Sequence, residues 1–175
     1  MNLVLVGFMG TGKTTLGKRI ARELDLKFVD TDQEVERICN LTVSDIFKKY
    51  GETRFRSEEA AAIKRIAKQD GLVVATGGGA VLDDSNLQAL RANGMLVCLY
   101  ADIEVIYERT SRRNTRPLLT GEDMRARIRD LLTQREAAYG QADYSIDTSV
   151  KSIPELTEEV MVLFRNFPGR LKGAE

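Results

Sequence analysis

Histidine is absent from this sequence, and its absence excludes several kinds of catalytic chemistry. A Ser-His-Asp triad, proton transfer by an imidazole and a histidine-ligated metal site all need the missing side chain. Cysteine occurs only twice, as Cys39 and Cys98, and two thiols cannot form an all-cysteine tetrahedral zinc site. Both cysteines lie in apolar surroundings and far apart in the chain, which is typical of reduced thiols in a cytoplasmic protein.

The sequence also lacks net charge and long apolar runs. Its 26 Lys and Arg residues balance 26 Asp and Glu residues, so the formal charge at pH 7 is zero. A broad surface for nucleic acid or anionic lipid usually carries excess positive charge, although a local basic patch would be compatible with this balance. No apolar run approaches the roughly 20 residues that span a bilayer, and Gly7 interrupts the first run too early for a signal peptide. We therefore expect a cytoplasmic protein with no nucleic-acid or membrane partner.

What is present predicts one α/β domain. The 175 residues are an ordinary length for a single domain. Short apolar runs alternate with amphipathic stretches, and continuous apolar runs such as 3–6 and 96–99 are typical of parallel strands covered on both faces. The alternation predicts a doubly wound sheet over residues 1–168, followed by a disordered tail over 169–175. The predicted strands are 2–6, 27–30, 72–75, 95–100 and 144–147.

Two local signals add detail to this prediction. Thr31 with Glu34, and Ser152 with Glu155, each have the spacing of a capping box at a helix start. The segment 111–122 has no clear period, and a loop of about 12 residues in a compact domain is usually a functional lid or is disordered.

The segment 7–14 reads Gly-Phe-Met-Gly-Thr-Gly-Lys-Thr and matches the phosphate-binding pattern G-x-x-x-x-G-K-[ST] at every defined position. It follows a predicted strand and opens a predicted helix, so backbone N–H groups and a helix N-terminus can surround a phosphate. Lys13 can reach the β- and γ-phosphates, and the Thr14 hydroxyl can bind Mg²⁺. The residues that we expect to bind ATP in this loop are Gly10, Thr11, Gly12, Lys13, Thr14 and Thr15.

Two other interpretations of this loop are weaker. A glycine turn followed by a solvated lysine would need no ligand, but a full match in the right context argues against it. A dinucleotide site is suggested by Asp30, which lies 20 residues after Gly10. However, G-x-G-x-x-G is absent, because the glycine after Gly12 is Gly17.

Other polar residues follow predicted strands, where α/β sheets bind their ligands. Asp30 could hold Mg²⁺ through water, and Asp32 could accept a proton from an attacking hydroxyl or serve only as an acid in the first turn of a helix. The glycines at 77–79 would let a ligand approach the backbone closely, or would form a flexible turn.

Three arginines are candidates for binding anions. Arg135 lies on the apolar stripe of its helix, so its guanidinium must either snorkel to solvent or meet an anion. Arg116, before Pro117, could stabilise a transferring phosphoryl group or belong to a basic surface loop. Arg56, taken alone, fits a solvated helix face better than a site.

Taken together, these residues resemble the shikimate kinase family over nearly the whole chain. The resemblance rests on the segments 7–14, 30–32, 51–59, 77–81 and 116–119 and on Arg135-x-x-x-Tyr139. It implies a P-loop kinase fold with helices on both faces of a five-stranded parallel sheet in the order 2-3-1-4-5. It also implies a cytoplasmic monomer that uses Mg²⁺ and ATP to phosphorylate the 3-hydroxyl of shikimate, giving ADP and shikimate 3-phosphate in the route to chorismate and the aromatic amino acids.

The resemblance also implies roles for single residues. Lys13, Asp32 and Arg116 would be catalytic, Thr14 and Asp30 would hold the metal, and the acceptor-binding region would span about 31–60. The residues that resemble the shikimate-binding set are Asp32, Arg56, Gly77, Gly78, Gly79 and Arg135. Arg109, Arg116 and the backbone from 147 to Pro154 resemble the contacts to ATP, although Pro154 also suits the first turn of a capped helix.

Three other functions stay open at this point. A gluconate- or nucleotide-type kinase of the same fold would share the phosphate loop but would have less use for Asp32, Arg56 and Arg135 around a carboxylate. A non-catalytic nucleotide-binding module would keep only residues 7–14. A nucleic-acid-dependent NTPase would use the basic cluster 109–116, but the zero net charge and the 6% of aromatic residues argue against it.

Overall fold

The computed structural model describes residues 1–111 and 123–169 of the chain. Its strands are β1 Asn2–Gly7, β2 Lys27–Asp30, β3 Leu72–Ala75, β4 Gly94–Tyr100 and β5 Tyr144–Asp147. Its helices are α1 Lys13–Glu23, α2 Thr31–Cys39, α3 Val43–Ala67, α4 Asp84–Ala92, α5 Ile103–Ser111, α6 Met124–Tyr139 and α7 Ile153–Asn166, with a short 3₁₀ turn at Ala80–Leu82. The five strand predictions are confirmed to within one residue at each end.

The five strands form one parallel sheet in the order β2-β3-β1-β4-β5, which confirms the predicted topology. The central strand β1 pairs with β3 on one side and with β4 on the other, where Asn2 aligns with Gly94 and Gly7 with Leu99. The inner strands are buried along nearly their whole length, as their continuous apolar runs predict. Because the strands are parallel, the loops that follow β1, β2 and β3 meet at one edge of the sheet.

Alternating side chains of the sheet build a core on each face. Leu3 and Leu5 of β1 pack with residues of α1 and α7, such as Leu16 and Val160. Val4 and Val6 point to the opposite face, where they pack with Ile63 of α3, Leu87 of α4 and Ile128 of α6. The two cores fix the three-layer arrangement, in which the helices hold the strand ends in place. Over the described ranges, no helix combines the length and the apolarity needed to cross a bilayer.

A smaller apolar cluster holds α2 against α3 beside the sheet, within the predicted acceptor-binding region 31–60. Val35, Ile46 and Phe55 are buried there. The helix α3 is interrupted at Gly51, whose backbone angles (φ 80°, ψ 173°) are not helical, so two helical segments meet at a kink. The kink lets the second segment, which carries Arg56, run back toward the strand ends.

One of the two predicted capping boxes is wrong. Helix α2 is capped by Asp30, whose carboxylate accepts hydrogen bonds from the amides of Asp32 and Gln33. Helix α2 begins directly after β2, with no loop between them. The last residue of the strand, Asp30, therefore takes the cap position, and Thr31 already belongs to the helix. The capping box of Ser152 with Glu155 at the start of α7 is confirmed.

Candidate active site

The phosphate loop links β1 to α1 at the centre of the sheet edge. Helix α1 begins at Lys13, directly after Gly12, whose lack of a side chain leaves the first amides of the helix accessible to an anion. The Lys13 ammonium is nearly buried and donates hydrogen bonds of 2.8 Å to the carbonyl oxygens of Gly7 and Phe8. The Lys13 ammonium group therefore places a positive charge at the opening of the phosphate loop.

A cavity of about 450 Å³ opens beside this loop and is large enough for part of a nucleotide. Its walls come from the loop, the end of α5 and the segment between β5 and α7. Arg109 links these walls, because its guanidinium donates to the carbonyl of Gly10 (3.3 Å) and to the hydroxyl and carbonyl of Thr148 (3.2 and 2.8 Å). The lining includes all six predicted loop residues, Gly10, Thr11, Gly12, Lys13, Thr14 and Thr15, together with Arg109.

The structure adds residues to the predicted lining of this cavity and omits one residue that was predicted to belong to it. Thr148 and Lys151 line the cavity and lie within the stretch that was expected to contact ATP. Leu156 also lines it, but its position on the apolar stripe of α7 indicates only a core residue, so no sequence signal could have marked it. Pro154 is not among the described lining residues; it occupies the first turn of α7, where a proline needs no further explanation.

The two residues predicted to hold a metal are hydrogen-bonded to each other. The Thr14 hydroxyl donates to Asp30 Oδ2 at 2.9 Å, while Asp30 Oδ1 caps helix α2. A hydroxyl and one carboxylate are hard oxygen ligands that suit Mg²⁺, which is usually held by few protein groups together with water and phosphate. Among the described residues, no group of three or more His, Cys, Asp or Glu side chains is placed to hold a metal ion.

The three-glycine turn 77–79 follows β3, and charged side chains pack directly against its backbone. A β-carbon placed on Gly77 would lie 2.5 Å from both Asp32 Oδ1 and Glu59 Oε1. A β-carbon on Gly79 would lie 2.5 Å from Arg56 Nη2. These glycines are therefore needed for space, because any side chain would displace the charges that meet here.

Arg56 faces this turn, although 29% of its side chain remains exposed. Its Nη1 donates to Glu59 Oε2 at 2.7 Å, and its Nε and Nη2 donate to Glu52 Oε1 at 3.2 and 3.1 Å. Glu59 is completely buried, and its other oxygen has no hydrogen-bond partner among the described residues. Sequence reasoning missed Glu59 as a site residue, since Arg and Glu three residues apart on a helix indicate only an exposed ion pair.

Arg135 reaches the turn from the opposite side. Its side chain is buried, with 4% of the residue exposed, so it does not snorkel to solvent. The guanidinium lies over the Phe8 ring, 5.3 Å from the ring centre, and Nη1 donates to the Gly78 carbonyl at 3.1 Å. Arg56 and Arg135, which are 79 positions apart in the sequence, thus flank one turn.

Asp32 lies between the glycine turn and the phosphate loop. The pKa of Asp32 is raised to about 7, first by burial and then by the neighbouring carboxylates of Glu59 and Asp30. The positive charges of Lys13 and Arg56 lower it, but they compensate only in part. Its Oδ1 is buried and has no hydrogen-bond partner within residues 1–111 and 123–169. A carboxylate in this state can accept a hydrogen bond, and then a proton, from a bound hydroxyl.

Some predictions fall outside the part of the chain that the structure describes. Arg116 and nearly all of the predicted lid 111–122 are among them, and only Ser111, the last residue of α5, is described. The predicted tail 169–175 lies outside as well, except for Gly169.

Comparison with known proteins identifies the family. The sequence profile described as "Shikimate kinase" matches residues 9–164. A shikimate kinase from Desulforudis audaxviator is 51% identical over 160 residues, covering 91% of this chain and 84% of that protein. The structure of shikimate kinase from Acinetobacter baumannii in complex with shikimate superposes with a TM-score of 0.90 at 37% identity, over 95% of this chain and 94% of that one.

A gluconokinase from Sinorhizobium meliloti superposes less closely, with a TM-score of 0.60 at 19% identity over 94% of this chain and 91% of that one, which shows a shared fold alone. The range 9–164 that the family profile matches includes the glycine turn, Arg56, Arg135 and most of the phosphate loop. The chain belongs to the shikimate kinase family, whose members are ATP-dependent enzymes that phosphorylate shikimate.

Proposed function

We propose that this protein transfers the γ-phosphoryl group of ATP to the 3-hydroxyl of shikimate and releases ADP and shikimate 3-phosphate. The observation that carries the proposal is the meeting of Arg56, Arg135 and Asp32 at the glycine turn 77–79. An acid with a nearby hydroxyl would find two guanidinium groups and one carboxylate there, beside a loop built for phosphate.

On the nucleotide side, the phosphate loop and Lys13 bind the β- and γ-phosphates, while Arg109 and Thr148 border the remainder of ATP. Thr14 and Asp30 would hold Mg²⁺, which would neutralise part of the phosphate charge. Lys13 and Arg116 stabilise the negative charge on the transferring phosphoryl group. The role of Arg116 rests on its sequence context alone.

On the acceptor side, Arg56 and Arg135 bind the carboxylate of shikimate, since planar guanidinium groups match a planar anion. The glycine turn brings backbone within reach of the ring, with Gly77, Gly78 and Gly79 as its contacts. Asp32 orients the 3-hydroxyl and accepts its proton, a task for which a pKa near neutrality is suitable. The product is a phosphate ester for the synthesis of chorismate and the aromatic amino acids.

An assay of ADP release tests the proposal. Purified protein with Mg·ATP is given shikimate, gluconate or a nucleoside monophosphate in parallel reactions, and ADP is measured by an enzyme-coupled readout. We expect saturable ADP formation with shikimate only. Turnover with gluconate or a nucleotide would favour another small-molecule kinase of this fold, and ATP binding without turnover of any acceptor would favour a non-catalytic module.

We further propose that the protein works as a cytoplasmic monomer whose partners are the two small-molecule substrates. The assigned residues that the structure describes come from one chain and lie around one sheet edge, which supports a site formed within a single copy. The balanced charge supports the absence of a nucleic-acid partner. A monomer mass in light scattering and ATPase activity that DNA or RNA does not stimulate are the expected results.

A further inference from the structure

Four of the six polar backbone groups of the glycine turn have hydrogen-bond partners among the described residues. The Gly77 amide donates to the Thr31 hydroxyl at 2.9 Å, and the carbonyls of Gly77 and Gly79 accept from the amides of Ala80 (3.1 Å) and Leu82 (3.2 Å). Within the described residues, the amides of Gly78 and Gly79 donate no hydrogen bond. Two backbone donors of the turn therefore have no acceptor among the described residues.

The remaining carbonyl, that of Gly78, is held by two side chains of helix α6. The Tyr139 hydroxyl donates to it at 2.6 Å and Arg135 Nη1 at 3.1 Å. Tyr139 lies one helical turn after Arg135, so both side chains emerge from the same face of α6. Tyr139 is 8% exposed and its ring packs in the core that also contains Phe8.

We propose that Tyr139 is a positioning residue for the acceptor: its hydroxyl fixes the Gly78 carbonyl and, through this shared oxygen, the guanidinium of Arg135. The carbonyl and the N–H of one trans peptide point in opposite directions, so a fixed Gly78 carbonyl also fixes the Gly79 amide. One hydroxyl thereby orients two groups that would contact shikimate, although it touches no substrate itself.

The chemistry of this tyrosine supports the role. Burial raises the pKa of Tyr139 to about 12, so the phenol stays protonated, and able to donate, across the working pH range. A tyrosine needed only to fill the core would not have to direct its hydroxyl at a carbonyl that a functional arginine also uses. The inference rests on the proposed function, since it concerns the acceptor site of that reaction.

The variant Tyr139→Phe tests the inference, because it keeps the ring and removes only the hydroxyl. We expect the KM for shikimate to rise about 3- to 10-fold, as loss of one uncharged hydrogen bond predicts, while the KM for ATP and kcat change less than about 2-fold. Tyr144→Phe is the matched control, since this partly buried tyrosine packs in the other core and away from the glycine turn. It should leave both KM values unchanged.

A double-mutant cycle separates positioning from a general loss of packing. If Tyr139 acts through the shared carbonyl, the effects of Tyr139→Phe and Arg135→Lys on the dissociation constant of shikimate will be non-additive. Additive effects, an unchanged KM for shikimate, or equal rises in both KM values would each overturn the inference. Failure of the wild-type protein to use shikimate would instead overturn the proposed function.

A second variant covers the case in which Tyr139→Phe does not fold. Thr31→Val removes the hydroxyl that holds the other end of the turn at Gly77, with little change of shape. The same selective rise in the KM for shikimate is expected if the tethers of the turn govern acceptor binding. An unchanged KM for shikimate in a folded Thr31→Val protein would overturn the inference.

Discussion

At the residue scale, the acceptor site places charged groups against glycine backbone where water is largely excluded. Glu59 is completely buried and Arg135 nearly so, and such burial costs free energy unless each charge finds a partner. Arg56 pairs with Glu59, but Asp32 Oδ1 and Glu59 Oε1 have no partner among the described residues. Burial of these oxygens without a described partner favours the protonated form of Asp32, whose pKa is raised.

Removal of either flanking arginine should weaken acceptor binding selectively. We expect Arg135→Ala or Arg56→Ala to raise the KM for shikimate about 10- to 100-fold, the cost of one charge-assisted contact, with the KM for ATP nearly unchanged. Steady-state kinetics with each substrate varied in turn measures both values. Arg54→Ala is the control, because Arg54 lies two residues before Arg56 and pairs with Glu58. Unchanged shikimate saturation in Arg135→Ala would contradict the carboxylate contact.

Replacement of Asp32 should reduce activity and increase stability. We expect Asp32→Asn to lower kcat about 10²- to 10⁴-fold, since it removes the proton acceptor. The raised pKa of Asp32 means that folding disfavours its charged form, so the wild-type protein loses stability as pH rises from about 4 to about 7. The asparagine variant avoids this loss and should be about 1–3 kcal/mol more stable above pH 7.

Thermal unfolding in metal-free buffer at pH 5 and pH 8 measures this difference. The gain in Tm of Asp32→Asn over the wild-type protein should be larger at pH 8 than at pH 5. An equal gain at both pH values, or a variant less stable than the wild-type protein at pH 8, would contradict the buried-carboxyl explanation.

At the scale of elements, the acceptor region depends on the break in α3. The two segments of α3 pack on α2 through Ile46 before the break and Phe55 after it, so the kink determines where Arg56 points. Gly51 has a positive φ with an extended ψ, a combination that residues with a side chain rarely adopt. The bend is thus a backbone feature with a direct effect on the site.

The variant Gly51→Ala should destabilise the protein through backbone strain alone. A β-carbon at Gly51 would meet no described atom within 4 Å, so steric contact contributes nothing. We expect a loss of about 1–3 kcal/mol in the free energy of unfolding, measured by urea denaturation. Gly140→Ala is the control, because Gly140 has ordinary helical angles (φ −63°, ψ −12°). Equal losses in the two variants would contradict the strain argument.

At the scale of the whole molecule, the parallel sheet brings three loops to one edge. The order β2-β3-β1 places Asp30, the glycine turn and the phosphate loop on neighbouring strands, although they are distant in the sequence. On the proposed function, both substrates would bind at this edge, and ligand binding would be coupled to the stability of the whole domain.

Nucleotide binding should therefore raise the thermal stability in a metal-dependent manner. ATP at about 100 times its dissociation constant adds about 2.7 kcal/mol, which corresponds to about 5–10 °C in Tm for a domain of this size. We expect this shift with Mg·ATP in differential scanning fluorimetry and a clearly smaller one with ATP and EDTA. Thr14→Val should show little difference between the two conditions, and a shift unaffected by EDTA would contradict the assignment of Thr14 and Asp30.

Local patterns of the sequence were sufficient for the strands and the phosphate loop. Continuous apolar runs identify buried parallel strands, and the spacing from Gly7 to Thr14 identifies a phosphate loop, because both signals involve residues that are close together in the chain. The sheet order came from the resemblance to a family. The cap of α2 was wrong because Asp30 and Thr31 are both good caps, and only the path of the chain selects one.

The tertiary structure alone decided how distant residues meet. Three arrangements join elements that are far apart in the chain. Glu59 lies beside Gly77, Arg56 points toward the glycine turn, and Arg135 and Tyr139 both donate to the Gly78 carbonyl. No periodicity along the chain records such contacts, because they depend on how helices pack across the sheet. The sequence thus determined the elements and the nucleotide loop, while packing created the environment that raises the pKa of Asp32 and orients the acceptor site.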